Sequence, residues 1–251
     1  MLTEIDALSV LVCTVPLIAC FIAVQIRAAG WVLVNQVAMD VGLFAAYTGL
    51  VLMLASEANP DGIWLALAIV VLPVLYMLLL KAALSGWVLT ISEPDALPGS
   101  LPFRIGAAVL CLVLFCALAS YKATIDVFLS WPALAWVGLP VLLGGVGLRA
   151  AGQLRLGTVL RLLPIAGLIG ALVGLVGALR NMADVVAMGP ELALGLLAML
   201  YSYGARVLLL LLFPHAIEGY RALNQDLVVL ILGTGVACSY LGLLMHATGM
   251  A

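Results

Sequence analysis

Charge is what this sequence has least of. Its 251 residues include 10 Lys and Arg, 12 Asp and Glu and 2 His, so 9% are charged and the net charge is −2. A soluble domain of this size is about a quarter charged and about half apolar; here 66% of the residues are hydrophobic. So few polar groups cannot coat a water-soluble globule, which excludes a soluble enzyme, a nucleic-acid binder and a disordered chain. Clustered metal ligands are missing as well. His215 and His246 fall at opposite membrane faces on the count below. Cys13, Cys20, Cys111, Cys116 and Cys238 lie in apolar runs without a C-x-x-C pair. They read as packing residues, not as ligands or disulfides. No P-loop, dinucleotide fingerprint, nucleophile elbow or zinc signature occurs. The chain is therefore expected to have no catalytic residues, no metal site and no cofactor of its own.

What is there is apolar length. Crossing the hydrocarbon core takes about 20 mostly apolar residues, and such runs fall at 5–26, 31–55, 63–84, 103–121, 131–150, 157–180, 190–213 and 226–247. Turn-forming residues separate them, among them Asn59-Pro60-Asp61-Gly62, Glu93-Pro94-Asp95 and Gly189-Pro190. No segment alternates polar and apolar as a membrane strand does. The expected fold is all-α: a polytopic membrane helical bundle of about eight transmembrane helices, with the lipid bilayer as its solvent. Charge placement agrees. With the N-terminus outside, the inner side receives Arg27, Lys81, Arg104, Arg149, Arg155, Arg161, Arg206 and Arg221, and the outer side only Lys122 and Arg180. That bias puts both termini on the outer side. The first run begins with Glu4 and Asp6, where a cleavable signal would be basic, so it is expected to remain in the mature chain.

The two halves echo each other. Arg27-Ala28-Ala29-Gly30 returns as Arg149-Ala150-Ala151-Gly152, and Gly49-Leu50-Val51 as Gly174-Leu175-Val176. Tyr76 and Lys81 return as Tyr201 and Arg206, and Gly106 and Cys111 as Gly233 and Cys238. The common order and nearly constant offset read as a tandem duplication of two parallel four-helix units, residues 1–126 and 127–251.

Ionisable groups inside a span are functional candidates by default. Lys81 and Arg206 sit at equivalent places near inner ends, where snorkelling to water accounts for them as topology anchors. Asp40 lies about nine residues into its span, roughly 14 Å at helical rise. Gln36 precedes it by one turn and Tyr47 follows by two, on the same helix face. Such a stripe can carry a proton or order water. Equally, Asp40 can be structural, satisfied by Asn35, Gln36 or Lys81. The corresponding stretch of the second unit, around Ile165 and Ala166, has no acid. Glu191 reads as a helix cap at the outer surface. The glycines Gly144, Gly145, Gly147, Gly167, Gly170, Gly174 and Gly177 read as close-packing positions.

Some of these residues carry a family resemblance. Arg27-Ala28-Ala29-Gly30, Gln36, Phe44, Ile63-Trp64, Glu93-Pro94 and Pro190-Glu191-Leu192 resemble the E component of formate-hydrogenlyase-type hydrogenases. Those proteins are similar to tandem copies of the NuoK subunit of complex I and, through it, to the C subunit of multisubunit sodium/proton antiporters. The resemblance implies a subunit of a redox-driven ion pump in a bacterial cytoplasmic (inner) membrane, with antiporter-like membrane subunits as partners. The ion-pathway candidates, read from the polar groups within this chain's own spans, are Asp40, Gln36, Tyr47, Lys81 and Arg206. The chain departs from the family where a Glu-Asn-Gly is usual: it has Pro164-Ile165-Ala166-Gly167. The family's mid-span lysine is also absent, Lys81 lying later. A scaffold that seats larger subunits is therefore as open as a conducting role. Residues 167–214 also resemble the paired helices of the MotA/TolQ/ExbB proton-channel family, through Gly167-Leu168-Ile169-Gly170, Gly189-Pro190, Leu200-Tyr201 and Phe213-Pro214. That family's channel threonines are replaced here by Ala171 and Ala198-Met199. A stand-alone transporter is a third reading. Pro73 and Pro140 could break its helices, but no polar residues flank them.

Overall fold

A computed structural model describes residues 2–23, 29–55, 60–88, 100–122, 125–150, 152, 155–182 and 184–214, and beyond them only 235, 239, 242 and 243. Among the described residues the chain is helical, with no strand. Seven α-helices follow in order: α1 (Leu2–Ala23), α2 (Ala29–Ala55), α3 (Pro60–Val88), α4 (Leu101–Lys122), α5 (Trp131–Ala150), α6 (Leu156–Arg180) and α7 (Val185–Leu212). A 3-10 turn over Ile125–Phe128 joins α4 to α5. These helices coincide with the first seven expected spans to within a few residues. Three of them, around 126–150, 156–180 and 187–212, are long and apolar enough to cross a membrane. The eighth expected span, 226–247, lies outside the described residues apart from the helical positions 235, 239, 242 and 243. His215, Arg221, Gly233, Cys238 and His246 lie outside them too.

Local chemistry sets the helix ends. Pro60 opens α3, where its missing N–H has no helical partner to lose. Gly152 adopts φ 67° just past α5, a left-handed conformation that only glycine takes without steric cost. Its N–H donates to the Arg149 carbonyl at 3.1 Å. The matching Arg27-Ala28-Ala29-Gly30 ends elsewhere: Gly30 is inside the first turn of α2, and a Cβ there would lie 2.6 Å from the Phe21 ring. The start of α7 corrects the sequence reading. Asp184 caps it, its Oδ1 accepting the Ala187 N–H at 3.2 Å, so the helix begins six residues before Glu191. Pro190 stays within α7, costing one backbone hydrogen bond rather than ending the helix. Glu191 lies part-buried over Gly177 of α6 instead of capping.

Helices α2 and α7 form the centre. The most apolar stretch of α7 is 67% buried, against 17% for the stretch that contains α5. Against α7 packs α6, with Gly167 meeting Ser202, Gly170 meeting Ala198 and Gly174 meeting Gly195. A Cβ on Gly174 would come within 2.6 Å of the Glu191 carbonyl oxygen and 2.7 Å of the Gly195 nitrogen. The absence of side chains there is what allows the backbones to touch. The α2–α3 contact is alike in detail. A Cβ on Gly42 would meet the Met77 side chain and sit 3.3 Å from the Pro73 carbonyl oxygen. A Cβ on Gly167 would meet the Ser202 side chain and sit 3.3 Å from the Ala198 carbonyl oxygen. Each of these three positions recurs 125 residues later.

Candidate functional site

The site lies on the seam between α2 and α7. Asp40 pairs with Arg206 (Oδ2 to Nε, 3.3 Å), and both side chains are almost fully enclosed, at 6% and 7% exposure. Their surroundings are apolar: Val37, Val41 and Val207 belong to one buried cluster, and Leu43, Tyr47 and Tyr203 to its neighbour. Asp40 is eleven residues beyond Ala29, about 16 Å along the helix. Arg206 is six residues before Leu212, about 9 Å from that end.

This placement revises the anchor reading of Arg206. The side chain turns into the protein because its helix packs on the one that carries Asp40. Lys81 behaves differently: it is part-buried and makes no ion pair among the described residues. The partner of Asp40 is thus Arg206, not Lys81. One turn before Asp40, the side-chain oxygens of Asn35 and Gln36 are buried without a hydrogen-bond donor among the described residues. A buried amide oxygen left dry costs about 1–3 kcal/mol, so these are natural positions for ordered water.

Beyond the pair, aromatic groups close the seam. Phe44 packs over Gly204, where a Cβ would lie 3.0 Å from the ring. One turn further, Tyr47 stacks on Tyr203 with ring centroids 6.0 Å apart and planes at 10°. The contacts 40 with 206, 44 with 204 and 47 with 203 run in opposite senses, so α2 and α7 are antiparallel. Seven residues separate Asp40 from Tyr47, about 10 Å of helix. The Phe44 ring occupies the turn between. Phe44 also continues into Phe115 of α4 (5.1 Å) and from there to Phe128 in the 3-10 turn (5.5 Å). Beside it an apolar cavity of about 280 Å³ is lined by Val41, Phe44, Phe115, Tyr201, Gly204 and Leu208 among others.

Three supporting residues were not singled out in the sequence. Tyr203 stacks on Tyr47, and Gly204 makes room for Phe44. Arg104 of α4 donates from Nη1 to the Leu212 carbonyl at 3.1 Å, placing a cation at the C-terminus of α7. Tyr203 and Gly204 follow Arg206 by helical spacing once α7 is known to face α2; nothing in the sequence shows that facing. Among the described residues no cluster of His, Cys, Asp and Glu is suited to a metal. Comparison with protein families, with curated proteins and with solved structures finds no match for this chain.

Proposed function

We propose that this chain is a multi-pass inner-membrane subunit of a complex I-like or hydrogenase-like energy-converting complex. In this reading it has no active site of its own, both termini face the outer side, and the Asp40–Arg206 pair is its ion-linked centre. The carrying observation is that pair: two opposite charges enclosed in an apolar seam between α2 and α7. Enclosed pairs rarely add stability over apolar packing, and ionisable groups at membrane depth tend to serve function.

The chemistry follows from charge balance. While the pair is closed, Asp40 and Arg206 neutralise each other. A proton arriving at Asp40 leaves the Arg206 guanidinium uncompensated, and a guanidinium cannot lose its charge. Proton uptake must therefore accompany a shift of Arg206 or the arrival of another anion. Water held by Asn35 and Gln36 supplies the approach from the inner end. Phe44 blocks the outer continuation toward Tyr47 and Tyr203, and the cavity beside it gives its ring room to turn aside. The α6–α7 seam, by contrast, is close-packed through Gly167, Gly170 and Gly174, which favours the α2–α7 seam as the pathway.

The test is the native complex carrying Asp40→Asn, with ion movement and subunit composition measured on the same preparation. The expected result is at least a tenfold loss of coupled ion movement with the subunits retained. Full ion movement with intact assembly would overturn the ion-linked role; loss of assembly would leave a structural seat for the partner subunits. Mass spectrometry of the wild-type preparation should find antiporter-like and redox-bearing chains. A ring of identical copies would point to the motor-channel family instead.

A further inference from the structure

The connection between α4 and α5 turns back into the bundle. Phe128 packs its ring on Phe115, which lies seven residues before the end of α4 at Lys122, about 10 Å of helix. Backbone groups at that depth need partners, since hydrocarbon offers none. One side chain of α7 serves two of them: the Tyr201 hydroxyl accepts the Ser130 N–H at 2.9 Å and donates to the Phe128 carbonyl. Phe128 is thus held at two points, by two routes. Its ring is held through Phe115 and Phe44, and Phe44 belongs to α2, one turn after Asp40. Its carbonyl is held by Tyr201, which precedes Arg206 on α7 by five residues, about 7.5 Å of helix. The apolar cavity of about 280 Å³ lies between the routes, lined by Phe44 and Phe115 of one and by Tyr201 and Gly204 of the other.

We infer that this two-point hold makes the turn at Phe128 a relay, which loosens when the Asp40–Arg206 pair opens. A motion that α2 and α7 share carries both holds along and leaves the turn as it is. A motion of one wall against the other pulls the ring and the carbonyl in different directions. The cavity lets the two routes move independently, where a close-packed interior would transmit the strain. Proton uptake at Asp40 drives such a motion, because Arg206 keeps its charge and has to shift. The inference rests on the proposed role of the pair for what opens the seam, and on the contacts alone for what then moves. Of the two holds, the hydroxyl is the one that gives. Ring contacts tolerate sliding, whereas a hydrogen bond weakens steeply once its angle is lost. Tyr201 is therefore a positioning residue: it keeps the turn closed while the pair is closed, at the junction of the two proposed four-helix units.

The experiment follows hydrogen–deuterium exchange at the Ser130 amide in the full chain, purified in mild detergent and held at one pH. Asp40→Asn copies the protonated state and should raise that exchange at least tenfold, with the α6 amides at Gly170 and Gly174 unchanged within twofold. Asp40→Glu keeps the pair but lengthens it by one methylene. It should raise the exchange less, and it carries the test if Asp40→Asn does not fold. Adding Arg206→Met to Asp40→Asn removes the stranded cation and should return the exchange to within twofold of wild type. Tyr201→Phe keeps the ring and should raise the exchange by itself; Asp40→Asn added to it should then change nothing further. A rise spread evenly along the chain, a Ser130 amide indifferent to the Asp40 variants, or effects of Tyr201→Phe and Asp40→Asn that multiply would each overturn the inference. Coupled ion movement in the native complex is read separately. Its loss in Asp40→Asn beside an indifferent amide sinks the relay alone, and its retention beside a responsive amide sinks only the ion-linked role.

Discussion

Breaking the Asp40–Arg206 pair from either side leaves one charge enclosed among Val37, Val41 and Val207. Removing one partner of such a pair costs about 3–5 kcal/mol. The two sides should not cost the same. Asp40 left alone can take up a proton and become neutral, but Arg206 left alone keeps its charge. Thermal unfolding in mild detergent should therefore rank Asp40→Asn as the larger loss and Arg206→Met as the smaller. The double variant should recover more than half of the Asp40→Asn loss. Additive losses would mean that the two groups do not interact. The stripe of Gln36, Asp40 and Tyr47 was legible in the sequence because helical spacing alone puts those residues on one face. The partner of Asp40 was not. Lys81 and Arg206 occupy matching places, α2 packs on both of their helices, and no local pattern decides between them. The snorkelling reading weighed only distance to the membrane surface, whereas the helix facing Arg206 settles its direction.

Among the elements, α6 and α7 depend on what their seam lacks. A methyl group on Gly174 meets backbone atoms of Glu191 and Gly195, which cannot swing aside as a side chain can. Gly174→Ala should therefore force the helices apart and destabilise the protein by about 1–3 kcal/mol, the usual cost of overpacking. Gly145 has nothing within 4 Å of its missing Cβ. Gly145→Ala should be neutral or stabilise by up to about 1 kcal/mol through helix propensity. Paired unfolding measurements on the two variants check this, and equal effects would refute the packing account. Glycine spacing signalled close approach in the sequence, yet Gly145 and Gly174 look alike there. Only the facing helix separates them. Helix extent was legible to within a few residues because apolar length and proline-rich breaks dominate it. The start of α7 was misplaced because Gly189-Pro190 looks like a break, while Asp184 supplies the cap that lets the helix begin earlier.

On the scale of the whole molecule, orientation rests on counting spans. Arg104 of α4 reaches the carbonyl end of α7 at Leu212, so the start of α4 and the end of α7 share one end of the bundle. Arg104 and Arg206 both belong to the side that receives eight of the ten basic residues on an eight-span count. That side should be cytoplasmic, since basic loops resist transfer across the membrane. On the proposed eight-span reading, residues 226–247 are expected to cross once more and carry the C-terminus outward. Reporter fusions in bacterial cells decide the point. A reporter after Pro214 should read as cytoplasmic, and the same reporter after Ala251 as external. Removing Arg149, Arg155 and Arg161 together should weaken this preference, because those three lie in and beside the connection between α5 and α6, inside on the same count. A cytoplasmic signal at both fusion points would mean that the last apolar run does not cross. The chain would then have seven spans, and its second unit would lack the fourth helix that the first possesses.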